Sequence, residues 1–190
     1  MRIGWAATIE TVDRALSSDD GLVIITTQRS RDTEEVRPFD LFGVGCVSRV
    51  VEWAKSKEPG CIDIKVQGLM RGRLLSFEEG AQRIVARVAP IRTERVPLEV
   101  DVTPFRQLSR RLVARQTEHK EAAAELIESI QIAEHLIDMV VANAGLPDVE
   151  KQRVLEIADF PTHLALATEL IETLVKLTPP ALHVVRDVED

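Results

Sequence analysis

Four histidines, two cysteines and a few adjacent acidic pairs are the residues of this chain with the chemistry to hold a metal or act on a substrate. The imidazoles are His119, His135, His163 and His183, and one of them, His135, shares a helix face with a carboxylate, Asp138, at i, i+3. A metal site needs further ligands in a His-Glu-x-x-His or Glu-x-x-His order, and neither order occurs. The histidines therefore read as surface or core-edge residues. Cys46 and Cys61 fall in segments that read as strands, where buried thiols in a reducing compartment are expected in place of a disulfide or metal. Glu34-Glu35 and Glu78-Glu79 have the groups for acid and base work, but they sit in polar turns and read as solvated charge. No G-x-x-x-x-G-K-[ST] phosphate cradle is present. Gly43-Val44-Gly45 has Ser48 where a dinucleotide fingerprint needs its third glycine, and there is no Gly-x-Ser-x-Gly elbow. No catalytic residue, cofactor or metal is expected.

What remains is binding chemistry. Trp5 lies at the amino-terminal approach and Trp53 at the end of a hairpin; each reads either as an anchor for a partner or as a lid on the end of a small barrel. Phe39 and Phe42 read as core. Arg83, Arg87, Arg92, Arg95, Arg106, Arg110, Arg111 and Arg115 form a basic run, either solvated positions on a strand and a helix or an anion-binding groove. Charge elsewhere argues against nucleic acid as main partner. The net charge of −7 falls entirely in residues 101–190, because Lys and Arg balance Asp and Glu over residues 1–100, and a duplex-binding face must be cationic.

The elements that would position these residues can be read in order. Thr8, Ile9, Val12, Ala15 and Leu16 predict a short helix over 8–17, and Asp19-Asp20-Gly21 a turn. Residues 22–27 read as a strand, 28–37 as a loop, and 44–53 with 61–69 as a hairpin closing on Glu58-Pro59-Gly60. Ile62, Ile64, Val66 and Gly68 alternate with polar residues, the pattern of a half-buried strand. Further strands are expected around 74–77 and 83–91, giving five with one helix. Residues 96–102 read as extended. From Thr103-Pro104 a helix can run to Ala144 along a seam of Leu126, Ile130, Ala133, Ile137, Val140 and Ala144, with a break near 117–120 because Gln116 and His119 interrupt the apolar face. Gly145 is expected to end it in a left-handed conformation. Two more helices follow, 148–158 with Val149, Val154, Leu155 and Ile157 inward, and one from Asp159 or Phe160 to the Pro179-Pro180 stop. No run is long and apolar enough for a membrane span, and no secretory signal pattern opens the chain.

Two phrases in the sheet region, DLFGVGCVSRVV (40–51) and IKVQGLMRGRLLSFEEG (64–80), resemble the strand pair of the LON substrate-binding domain, the amino-terminal domain of the Lon proteases. The residues that carry the likeness are Asp40, Phe42, Val44-Gly45, Gly68-Leu69, Arg71 and Arg73. A third phrase, LPDVEKQRVLEIADFPTHLALATELI (146–171), resembles the helical bundle that follows. The resemblance covers roughly residues 9–177. It implies an α+β fold: a small, partly open β-barrel of the pseudouridine-synthase-and-archaeosine-transglycosylase (PUA) type with one short helix, in residues 1–100, then a three-helix α bundle in 101–180 and a tail, 181–190. It also implies a non-enzymatic, cytoplasmic module that binds unfolded or tagged protein substrates, with a Lon-type ATPase-protease or a second copy as further partners. Trp5, Trp53, Arg71 and Arg73 are the expected partner-binding residues, and a PUA-like nucleic-acid binder using the arginine run is the alternative. The family's opening strand has no counterpart here, as in a shortened natural protein, a misassigned start codon or a trimmed chain. The sheet is therefore expected to have an uncovered edge, open to self-association or to an extended peptide.

Overall fold

The computed structural model describes residues 1–4, 6–18, 20–30, 32, 36–78, 84–94, 100–116 and 119–179. Trp5, Arg83, Arg95, Glu34-Glu35, Glu79, His183 and the 181–190 tail lie outside them. The chain forms two compact units, residues 1–92 and 93–190.

The first unit is a curled antiparallel sheet with one helix on it. Its elements are β1 (Arg2–Ile3), α1 (Ala6–Ser17), β2 (Leu22–Ile25), β3 (Val44–Lys55), β4 (Ile62–Phe77) and β5 (Ala86–Pro90). The strand order is β1-β4-β3-β2, and β5 also pairs with β4. The hairpin forms as its alternation predicts, with Gly60 at φ +77° in the turn and Gly21 at φ +61° before β2, conformations that glycine adopts without strain. Two strands expected as separate, 61–69 and 74–77, are one continuous β4. Gly72 joins them, because a Cβ there would lie 2.5 Å from Val88 Cγ1 and only a glycine lets the strand pass between β3 and β5. Gly45 answers a similar need: its Cβ would meet the Ile25 carbonyl oxygen at 2.4 Å. β1 is a strand absent from the sequence reading, which put Ile3 at the helix approach; Ile3 pairs opposite Ile62 and is buried. Around Val50 and Ile64, α1 contributes Val12 to a small core, with Ile9, Val23 and Val66 against it.

Phe39 does not join that core. It sits in a single 3₁₀ turn, Pro38–Asp40, and is 70% exposed. The turn is held by Asp40, whose carboxylate accepts the Arg37 amide at 2.9 Å, and Phe42 lies under the Arg29 guanidinium, 4.8 Å from the ring centre. Both cysteines are free; Cys46 is in β3, and Cys61 precedes β4 instead of lying within it.

The second unit contains five described helices where three were expected: α2 (Thr103–Gln116), α3 (Lys120–Ser129), α4 (Ala133–Asn143), α5 (Asp148–Glu156) and α6 (Phe160–Leu177). The first break falls at the polar stretch anticipated near 117–120. The second, at residues 130–132, has no local breaker. Ile130 and Ile132 are both extended there, and the Arg106 guanidinium from α2 donates to the carbonyls of Ile127 and Ile130, so the end of α3 is capped from another helix. At the end of α4, Ala144 is extended and Gly145 does not have positive φ, contrary to the expected left-handed cap. Asp159 caps α6 through the Thr162 amide at 3.2 Å, as its position suggests. The core runs through Phe105, Leu112, Leu136, Ile137, Phe160 and Ile171, with others. Leu126 and Val149, expected inward, are exposed. No helix among the described residues is long and apolar enough to cross a membrane.

Candidate binding surface

The side chains singled out in the sequence are not gathered at one place. Trp53 stands near the hairpin end of β3, directly opposite Ile64 of β4, so the two share a sheet face. Ile64 is buried under α1, whereas Trp53 lies at the rim of that face and is 53% exposed. Arg73 is exposed at the other end of the hairpin, paired with Val44 on one side and Ala89 on the other. Nine residues along β4 separate the Trp53 level from Arg73, about 30 Å at the rise of a strand. Arg71, opposite Cys46, is only 9% exposed.

A feature with no signal in the single sequence lies between these positions. The middle of β4 and the adjoining end of β3 present Val51, Leu69 and Met70 to solvent, and Leu75 continues the apolar exposure along β4. Leu69 is left over where the β3–β4 register shifts between Val47 and Ser48, and Val51 where it shifts between Val50 and Glu52. These are bulges, which re-aim side chains out of the regular alternation. A count of period two through 44–53 or 61–69 passes over both.

Charge around the hairpin is paired at its turn. Arg2 reaches Glu58 and, at 3.1 Å, Asp63, and its guanidinium holds the Asp63 carboxyl below the usual carboxylate range. Lys65 meets Glu52 at 3.0 Å, an exposed pair of small energetic weight. Arg73 makes no ion pair among the described residues. An open cavity of about 420 Å³ lies between α1, β2 and the start of β5, walled by Ala15, Val23, Ile24, Val47, Val85 and Val88. Its polar contributors, Thr11 and Arg14 of α1 and Ser18 just after it, come from one stretch and do not converge from several elements as a reaction site requires.

In the second unit two arginines of the run, Arg106 and Arg115, hold helix ends, whereas Arg111 is exposed. Arg106 caps α3, and Arg115 donates to the carbonyls of Val175 and Thr178 at the end of α6, while Arg110 lies 3.3 Å from Glu128. A groove for nucleic-acid phosphates would need these guanidinium groups free. Asp138 is matched across helices and not along its own: His163 of α6, fully buried, places Nε2 3.3 Å from the Asp138 carboxylate, whereas His135 is exposed. Among the described residues no group of three or more His, Cys, Asp or Glu could hold a metal ion.

Comparison with known proteins gives a consistent picture. The sequence model for the ATP-dependent protease La (LON) substrate-binding domain matches residues 1–173. Lon protease 2 of Myxococcus xanthus is 33% identical over 175 residues, which is 90% of this chain and 21% of that protein. The Lon protease of Anaeromyxobacter dehalogenans is 31% identical, covering 90% of this chain and 20% of the relative. The chain thus spans about a fifth of the length of the curated relatives it matches. The solved amino-terminal domain of Mycobacterium avium complex Lon protease superposes with a TM-score of 0.67 at 15% identity, covering 90% of this chain and 89% of that one, a likeness of fold.

Proposed function

The chain belongs to the LON substrate-binding domain family, and on that premise we propose that it is a non-enzymatic, cytoplasmic docking module for unfolded or tagged protein. The observation that carries the reading is the apolar surface of the sheet unit. Val51, Trp53, Leu69, Met70 and Leu75 are all large and all exposed on two adjacent strands. A folded partner offers few loose apolar side chains, whereas an unfolded polypeptide offers many, and half-exposed aromatic residues such as Trp53 make efficient anchors. The family's description as a substrate-binding domain supports the same reading, as do relatives named as Lon proteases.

The test is fluorescence anisotropy with dye-labelled β-casein, comparing wild type with Trp53→Ala. Wild type is expected to bind, and the substitution to weaken binding about tenfold, the effect of losing an interface anchor. Absence of wild-type binding, or equal affinity of both proteins, contradicts the reading.

A further inference from the structure

The ion pairs around the β3–β4 hairpin leave two cations over. Its carboxylates are all matched, Glu52 by Lys65, and Glu58 and Asp63 by the single guanidinium of Arg2. Lys55, the last residue of β3, and Lys57, in the turn, are exposed, and neither makes an ion pair among the described residues. The hairpin end thus offers positive charge that the fold itself does not use.

One of these cations stands beside the aromatic side chain of the proposed docking surface. Glu52, Trp53, Ala54 and Lys55 pair with Lys65, Ile64, Asp63 and Ile62 in unbroken register, so alternation sends Trp53 and Lys55 to one face and Glu52 and Asp63 to the other. Trp53, Lys55, Ile62 and Ile64 share that face, and Lys55 is the only charge among the four. Two residues along a strand separate the indole from the ammonium stem, about 7 Å. Val51, at the adjoining bulge, is exposed and extends the apolar part.

That spacing is also the one between alternate residues of any extended chain. A segment with a large apolar side chain at one position and a carboxylate two residues away can therefore lay the first on Trp53 and the second at Lys55, with Lys57 adding to the attraction. A basic segment would meet two unmatched ammonium groups, and like charge rejects a wrong partner more effectively than opposite charge holds the right one. A second copy fits poorly for the same reason, because hairpin end against hairpin end would set Lys55 and Lys57 against themselves.

We infer that the hairpin end selects, from unfolded polypeptide, segments in which a large apolar residue and an acidic residue stand two positions apart. This rests on the docking reading above and names the kind of segment it takes. The probe is a capped, dye-labelled peptide of two Leu-Ser-Glu units joined by Gly-Ser, beside a twin with Lys in place of each Glu. In fluorescence anisotropy at about 50 mM NaCl, wild type is expected to bind the Glu peptide about fivefold more tightly than the twin, the weight of one or two exposed charge contacts, and the ratio to shrink toward one at about 500 mM NaCl. The exposed double substitution Lys55→Gln/Lys57→Gln is expected to bring the low-salt ratio below about twofold. Casein binding with equal affinity for the two peptides, with neither peptide bound, or with a preference that survives the double substitution, overturns the selection and leaves the docking reading standing. Failure of casein to bind overturns the docking reading itself. Displacement of the Glu peptide by a short single-stranded oligothymidine overturns the choice of polypeptide as occupant.

Discussion

The two units use their polar groups and apolar side chains in opposite ways. In the helical unit, guanidinium groups that look like surface charge in the sequence close helix ends, Arg106 on α3 and Arg115 on α6, and fourteen buried apolar residues form one cluster. In the sheet unit the corresponding cluster has four buried members among the described residues, while Trp53, Leu69, Met70 and Leu75 stay outside. On the proposed reading, a surface for other polypeptides is made by withholding contacts that a fold would otherwise satisfy internally. The helical unit also leaves Leu126, Ile132, Val149 and Leu177 exposed, but it buries the larger apolar cluster, which is the character of a scaffold.

That contrast can be broken or sharpened by substitution. The largest effect is expected at the scaffold's centre: Phe160→Ala, at a side chain 1% exposed, should lower stability by about 3–5 kcal/mol in urea denaturation. A loss below about 1 kcal/mol would mean that the cluster is not the tightly packed core described. In the sheet unit the sensitive points are backbone crossings. Gly45→Ala, facing the Ile25 carbonyl, should cost about 1–3 kcal/mol in the same measurement, although only a methyl group is added. The arginines give the sharpest pairing. Arg106→Met leaves the Ile127 and Ile130 carbonyls without their donor and should cost about 1–3 kcal/mol. Arg73→Met, exposed, should stay within about 0.5 kcal/mol of wild type. Equal costs at the two arginines would erase the distinction between capping and surface charge.

The smallest effect is a pH dependence. Asp101 accepts from the Thr103 side chain and, at 2.9 Å, from its amide, and these bonds hold its carboxyl below the ordinary value of 3.8. A carboxyl depressed in the folded state contributes stability that is present above its unfolded pKa and is lost as pH falls through the folded one. Thermal melts of wild type between pH 5 and 2 should therefore fall more steeply than those of Asp101→Asn, which lacks that titration. Parallel curves would show that the bonds do not persist in solution.

Much of this division was legible in the sequence. Period two in 62–68 and the Pro59-Gly60 turn specify the hairpin, and the apolar stripe from Leu164 to Val175 specifies α6, because those signals are local. The break between α3 and α4 was not, since the seam through Ile130 and Ala133 is unbroken and the group that ends the helix, Arg106, comes from more than twenty residues away. Phe39 misled for the reverse reason: an apolar residue beside the Asp40 turn looks like core until the turn points it outward. The motif glycines of the resemblance proved architectural, Gly45 at a strand crossing and Gly68 tight against Cys46. Of the proposed binding surface, Trp53 could be named from its place at a hairpin end. The bulged Leu69 could not, because it depends on the register between β3 and β4.

The measurement that bears most directly on this division of labour is amide hydrogen exchange of the intact chain, free and saturated with β-casein. Slowed exchange along β3 and β4, with the amides of α2 to α6 unchanged, is the expected result. Slowing confined to the helices, with β3 and β4 exchanging as freely as before, would contradict it.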